Sequence, residues 1–340
     1  MSNNYTVNRR NLMLGAGVLG VGALGATLAA TTAVASDAPA AGPIDLSGLS
    51  ILITGCSSGF GRLGAEHYAR LGATVFATMR NLPRPEATEL ENLAAAEDLD
   101  ITVIEIDITK DDQVEAGIAK ALAATGGRLD VLINNAGIAV SGPIEAQDMA
   151  ATQLIFDTNV FGAQRMARVA LPAMRAAKSG QMFNVTSQLG RVIIPGFGQY
   201  SPTKFALEAM SEQMAYEVAG HGIEVTIIQP GGYPTQIWAN QVAPSTALKN
   251  RLPDDVLDAY PQLTAGMDVE RSGGGGSSDP MDIPRAIAET IALPKGSRPL
   301  RIALHPVARP QEMINKVSAQ TQLAVLGDSP YGPSVKAVLD

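Results

Sequence analysis

The chain has 340 residues, of which 46% are hydrophobic and 17% charged, and a formal net charge of −8. That is enough apolar material for one large α/β domain and excludes a disordered chain, while the lack of a long basic run argues against nucleic acid as a partner. A single cysteine, Cys56, excludes an internal disulfide and a cysteine-based metal site, and the scattered His67, His221 and His305 leave no metal-ligand spacing.

At the N-terminus, Arg9 and Arg10 precede an apolar, Gly/Ala-rich run from Leu12 to Ala35 that closes on Ala33-Val34-Ala35. A charged start, an apolar run and an A-x-A site read as an export signal over residues 1–35. The paired arginines resemble a twin-arginine signal, so a periplasmic destination is expected. The alternative is an uncleaved membrane anchor, because a bilayer takes about 20 apolar residues to span. Gly15, Gly17 and Gly20 spell G-x-G-x-x-G, but no strand precedes them, so the match is an accident of composition. Residues 36–48 read as a linker.

The phosphate-binding candidate comes next. Ser50 to Thr54 reads as a buried strand, Gly55, Gly59 and Gly61 follow in T-G-x-x-x-G-x-G spacing, a helical pattern runs from Phe60 to Leu71, and Thr74 to Met79 is a second strand. This is the βαβ unit that holds a dinucleotide, with glycines for the turn and a helix N-terminus facing the pyrophosphate. Gly55-Cys56-Ser57-Ser58-Gly59 also satisfies the G-x-S-x-G elbow of serine hydrolases, with His221 and His305 as partners. Against that reading, the elbow sits on the first strand and Gly61 has no role in it. Met79 stands where an acid would hold the NAD ribose, and Arg80 follows. A guanidinium grips a 2′-phosphate, so NADP(H) is expected over NAD(H).

Ile101 to Asp107 is the third strand, and "DITKDDQVEAGI" looks like a helix start for which Asp107 is a capping candidate. "DVLINNAG" holds the fourth strand and its loop. A long helix is expected over about Ala150 to Lys178, bent near Pro172. The fifth strand is Gln181–Thr186, a helix continues over Phe205–Ala219, and Glu224–Gln229 and Arg298–Leu304 are the sixth and seventh strands. The alternation predicts an α/β, Rossmann-type, doubly wound and mostly parallel seven-stranded sheet, a single domain over 49–305 with ligands at the carboxyl ends of the strands. Between 231 and 280 the pattern loosens, with Tyr233, Trp238 and "SGGGGSSD". It reads as a substrate lid with a flexible connector, or alternatively as a disordered insertion. The lid aromatics with Val192, Ile193, Ile194 and Phe197 suggest an apolar pocket. Residues 306–340 form a C-terminal extension, expected to be helical and to pack on the lid or a neighbour.

Six pieces then fall in order: "TGCSSGFG", "NNAG" at Asn134–Gly137, "DTNVFG" with Asn159, "NVTS" ending at Ser187, "YSPTK" from Tyr200 to Lys204, and "PGG" from Pro230. In this combination the chain resembles the short-chain dehydrogenase/reductase family over Leu49 to Leu304, nearest to its steroid and retinol dehydrogenase branch. The resemblance implies hydride transfer between NADP(H) and a small-molecule alcohol or carbonyl with apolar bulk. It assigns cofactor contacts to Gly55, Ser57, Ser58, Gly59, Phe60, Gly61, Arg80, Asp107, Ile108, Asn135, Ala136, Gly137, Tyr200, Lys204, Pro230 and Gly231, with Asn134 as a structural tie. Tyr200 becomes the acid/base. Lys204, one helical turn on, would lower the phenol's ordinary pKa of about 10 and bond the nicotinamide ribose. Ser187 would hold the substrate oxygen, and Asn159 would shape its helix and hold a relay water. Pro202, where the family often has alanine, only restricts where that helix begins. Members often pair through long helices, implying a homodimer or homotetramer. A non-catalytic nucleotide sensor is the other class, which has no need of Ser187, Tyr200 and Lys204 together.

Overall fold

The computed structural model describes residues 43–270 and 276–339. The leader, residues 36–42 of the linker and most of the "SGGGG" run lie outside the described residues. In chain order the elements are β1 (Ser50–Ile53), α1 (Gly59–Arg70), β2 (Thr74–Met79), α2 (Pro85–Glu97), β3 (Ile101–Glu105), α3 (Asp111–Ala124), β4 (Val131–Asn134), α4 (Met149–Phe156), a π-helical turn (Asp157–Phe161), α5 (Gly162–Ala177), β5 (Gly180–Val185), α6 (Tyr200–Val218) and β6 (Ile223–Pro230). Four short helices follow, α7 (Ile237–Asn240), α8 (Val242–Lys249), α9 (Asp254–Ala259) and α10 (Pro261–Thr264), then α11 (Asp282–Ala292), β7 (Arg301–Leu304), α12 (Gln311–Leu326) and α13 (Gly332–Leu339). Among the described residues no helix is long and apolar enough to cross a membrane.

The strands pair in the order β3-β2-β1-β4-β5-β6-β7, every pair parallel. β1 and β4 are buried at every position, as continuous apolar strands covered on both faces should be. Alternate side chains of β1 feed different cores. Ile51 and Ile53 join Tyr68, Leu90 and Ile287 on one face, whereas Leu52 joins Phe76, Ile118, Met166 and Val218 on the other. The chain winds outward from β1 to β3 and returns to β4, so a crevice opens beyond the carboxyl ends of β1 and β4.

Three expectations need correction. The long helix is interrupted not at Pro172, which lies inside α5, but at Asp157–Phe161. There Asn159 turns its side chain onto the Ile138 backbone, and the wide turn admits it. The seventh strand begins at Arg301, because Arg298 is drawn away to the Thr290, Ile291 and Leu293 carbonyls at the end of α11. The C-terminal extension is helical, and among the described residues α13 packs against α6 while α12 meets β7. Val335 is 1% exposed, Val338 and Leu339 lie against the core that contains Ala215 and Val218, and Gln311 donates to the Gln229 carbonyl.

Segment 231–280 is folded over its described part. Its helices are tied to the loop after β4 by Ser141 Oγ to Gln241 (2.5 Å), by Ser245 Oγ, which accepts from the Ser141 N–H (2.9 Å), by Tyr260 to Glu145 (2.5 Å), and by Arg251 to Asp148 (2.5 Å).

Candidate active site

The loop between β1 and α1 is built by close approach. Gly55 has φ +76°, and a Cβ there would stand 2.9 Å from Ala136 Cα, so the loops after β1 and β4 pass in contact. Thr54 Oγ1 stitches them by accepting the N–H groups of Asn135 and Ala136, both at 3.0 Å. A Cβ on Gly61 would lie 2.3 Å from the Gly55 carbonyl oxygen. α1 then begins at Gly59 with no side chain capping it and no acid in its first turn. Its leading N–H groups and the positive end of its dipole therefore suit an anion. Ser57 and Ser58 are half-buried on this loop, with Phe60 packed edge-on to Tyr233.

Arg80 follows β2 and is exposed; among the described residues its side chain has no carboxylate partner. The neighbouring acids are taken, Glu86 by Arg84 and Glu105 by the Leu82 N–H. Asp107 accepts from the N–H and hydroxyl of Thr109, so it organises the turn before α3, whose cap position is Lys110. Ile108 is 7% exposed, with its side chain under Gly162. Asn135 spends its amide on the Thr54 carbonyl (2.8 Å), bracing the loop. Pro230 ends β6, and Gly231 leaves room for the His305 ring, which a Cβ would meet at 2.7 Å.

Asn159, Ser187, Tyr200 and Lys204 are brought together at the carboxyl ends of β4 and β5. A Cβ on Gly137 would stand 3.3 Å from Asn159 Oδ1 and 3.6 Å from Lys204 Nζ. Asn159 accepts from Ile138 N–H (2.8 Å) and donates to the Ile138 carbonyl (2.9 Å) and Thr203 (3.1 Å), so its amide holds the wide turn in place. Ser187 caps the short turn after β5 and is hydrogen-bonded to Tyr200, the first residue of α6. Lys204 donates to the Val185 carbonyl (3.0 Å), with Nζ 5.5 Å from the centroid of the Tyr200 ring.

The electrostatics reverse one expectation. Burial pushes the Tyr200 phenol up to about 12, against the lowering by its Ser187 hydrogen bond. Burial also pulls Lys204 down to about 8, opposed by the Glu208 carboxylate. Desolvation of the phenolate outweighs the Ser187 hydrogen bond, so Tyr200 keeps its proton at neutral pH. Cys56 is inert by the same cause, its buried thiol pushed up to about 12.

The hydrolase reading fails on geometry. No hydrogen bond joins Ser57 to a histidine among the described residues. His221 precedes β6 at the amino end of the parallel sheet, opposite to Ser57. His305 accepts from the Val307 and Ala308 N–H groups and packs edge-on to Tyr233.

Of the residues expected to line an apolar pocket, some cluster together and others do not. Val192 and Phe197 pack with Ile155, Leu189, Ile237 and Tyr200, and Trp238 stands edge-on to Phe197 at 6.1 Å. Ile193 and Ile194 are instead 71% and 45% exposed. Tyr233 is 2% exposed and held between Phe60 and His305 with its hydroxyl on Asp282, so it belongs to the core.

Sequence reasoning missed Asn184, which links Asn134 to Ser211 (2.8 Å each), and Glu208, a turn beyond Lys204. A four-residue step from a buried lysine was the available signal for Glu208.

Comparison with known proteins agrees with this arrangement. The family described as short chain dehydrogenase matches residues 50–245. The chain is 31% identical over 259 residues to 3-ketodihydrosphingosine reductase of Bacteroides thetaiotaomicron, covering 76% of this chain and 88% of that protein. It is 33% identical over 249 residues to retinol dehydrogenase 8 of Bos taurus, covering 71% and 77%. Among solved structures, a short-chain dehydrogenase from Streptomyces avermitilis is similar with a TM-score of 0.61 and 31% identity, over 84% of this chain and 99% of that one.

Proposed function

The chain belongs to the short-chain dehydrogenase family, oxidoreductases of CH–OH and C=O groups that use NAD(P), and within it we propose an NADP(H)-dependent reductase of ketones or aldehydes that carry apolar bulk. The observation that carries this reading is the Ser187–Tyr200 pair with Lys204 Nζ 5.5 Å from the Tyr200 ring centroid and anchored on the Val185 carbonyl at the end of β5. When bound, the nicotinamide supplies the hydride. Ser187 and Tyr200 offer the substrate oxygen two hydroxyl donors. Tyr200 gives up its proton as negative charge grows on that oxygen. Lys204 anchors one N–H on the Val185 carbonyl and keeps the others for the nicotinamide ribose and for stabilising the phenolate. A phenol held protonated at neutral pH suits the reductive direction.

Gly55, Gly59 and Gly61 would let the pyrophosphate approach the α1 terminus, and the exposed Arg80, without a carboxylate partner among the described residues, supports a 2′-phosphate on the adenosine ribose. Phe197, Trp238, Val192 and Ile237 support an apolar substrate body. Export by the Arg9–Arg10 leader and a homodimer or homotetramer belong to the same proposal, resting on the sequence alone.

The test uses NADPH oxidation with 3-ketodihydrosphingosine and all-trans-retinal, the carbonyls suggested by the relatives' names. Tyr200→Phe should fold and bind NADPH but lose about a hundred- to ten-thousandfold in turnover. Near-normal turnover in that variant overturns the assignment.

A further inference from the structure

One buried carboxylate beside the site takes no part in the steps above. Glu208 follows Lys204 by one helical turn and is 2% exposed. Its Oε1 accepts from Thr186 Oγ1 (2.6 Å) and Gln229 Nε2 (2.9 Å), and its Oε2 faces Arg301 Nε (2.9 Å) and Arg191 Nη2 (3.3 Å). Thr186 immediately precedes Ser187, and Arg191 closes the turn that Ser187 opens. Gly190 of that turn packs so closely that a Cβ would lie 3.0 Å from Glu208 Cγ and 3.1 Å from the Lys204 carbonyl. Asn315 of α12 donates to Gln229 Oε1 (2.7 Å), which aims the Gln229 amide at Glu208. One carboxylate thus joins both sides of the Ser187 loop, the Lys204 helix, β6, β7 and the C-terminal extension.

Burying ionic groups seldom stabilises a fold more than apolar packing of the same volume. The placement of this carboxylate calls for another use. We propose that Glu208 is a positioning residue for the reduction described above, on which this inference rests: it fixes the strand end that presents Ser187 and sets the charge that the buried Lys204 ammonium faces.

The groups around Lys204 are few. Tyr200 and Glu208 face it from its own helix and the Val185 carbonyl from β5. Arg191 from the loop after β5, Arg301 from β7 and Glu212 from α6 gather on the far side of Glu208. Removing the negative charge should therefore make Lys204 lose its proton more readily, and removing Arg191 should do the opposite.

The experiment titrates Lys204 in the full chain by 13C NMR of its labelled ε-carbon, assigned by its disappearance in Lys204→Arg. The wild-type midpoint is expected at about 8. Glu208→Gln should lower it by about one pH unit, although its side-chain oxygen can still accept from Thr186. Arg191→Gln should raise it. The double variant removes one charge of each sign, guards against a Glu208→Gln chain that fails to fold, and should fall between the singles. A general loosening of structure would move both singles the same way. Equal midpoints, or shifts of one sign in both, would overturn the role of Glu208. The titration needs no substrate, so its failure is distinct from failure of the reductase reading, which an active Tyr200→Phe enzyme would show.

Discussion

Gly59 and Gly61 lie two residues apart and should respond to alanine for different reasons. Gly59 has φ +56°, and its Cβ would meet Thr235 Cβ at an ordinary 3.5 Å. Gly59→Ala therefore costs only the left-handed conformation, about 1–2 kcal/mol. Gly61 has no conformational demand, but its Cβ would stand 2.3 Å from the Gly55 oxygen and 2.6 Å from Asn135 Nδ2. Neither neighbour can yield cheaply: the first is backbone in the turn made by Gly55, and the second holds the Thr54 carbonyl at 2.8 Å. Overpacking costs about 1–3 kcal/mol, and pulling Asn135 from its acceptor about 1–3 more, so Gly61→Ala should lose about 2–6 kcal/mol. At roughly 2 °C per kcal/mol for a chain of this size, melting should fall by about 2–4 °C for Gly59→Ala and about 4–12 °C for Gly61→Ala. Circular dichroism melts measure this, and an NADPH titration should show at least a tenfold loss of affinity for Gly61→Ala. If Gly61→Ala melts no lower than Gly59→Ala and keeps its affinity, the close passage of the loop is wrong.

Arg80→Asp should reverse the preference between NADPH and NADH, read as the ratio of kcat/KM for the two; an unchanged ratio would deny Arg80 its 2′-phosphate. Asn159→Ala removes two bonds to the Ile138 backbone and should cost about 1–3 kcal/mol in urea unfolding, and a smaller cost would mean the π-helical turn stands without its amide. Asp148 is held down at about 2 by Arg251 and by the Ala151 N–H at the start of α4. Because its folded value lies below the unfolded value of about 3.9, its contribution is complete above pH 4 and lost as pH falls through about 2. The pair is partly exposed, so that contribution stays under about 1 kcal/mol, and Asp148→Asn should flatten the acid limb of a stability–pH curve by that amount. Deleting residues 306–340 should uncover the face under Val335, seen as a lower melting temperature and binding of an apolar dye; a truncated chain that melts like the full one would show that α12 and α13 add nothing to the core.

Local chemistry made much of this protein legible in its sequence. The spacing of Gly55, Gly59 and Gly61 between two apolar strands needs only the geometry of one turn, and the alternation of apolar runs with amphipathic segments led to seven strands in a parallel sheet. Tyr200 and Lys204 lie on one helix a turn apart, so their proximity follows from helical period. Wherever a partner comes from far along the chain, the pattern was silent. The π-helical turn exists because Asn159 meets Ile138 across a loop, and neither residue announces the other. Tyr233 looked like a pocket aromatic until Phe60 and His305 enclosed it. The Glu208 cluster joins residues from Thr186 to Asn315 that no local period relates. The Tyr200 phenol shows the limit most clearly: the charge of a nearby lysine can be read from spacing, but burial, which decides the sign of the shift, is a property of everything packed around it.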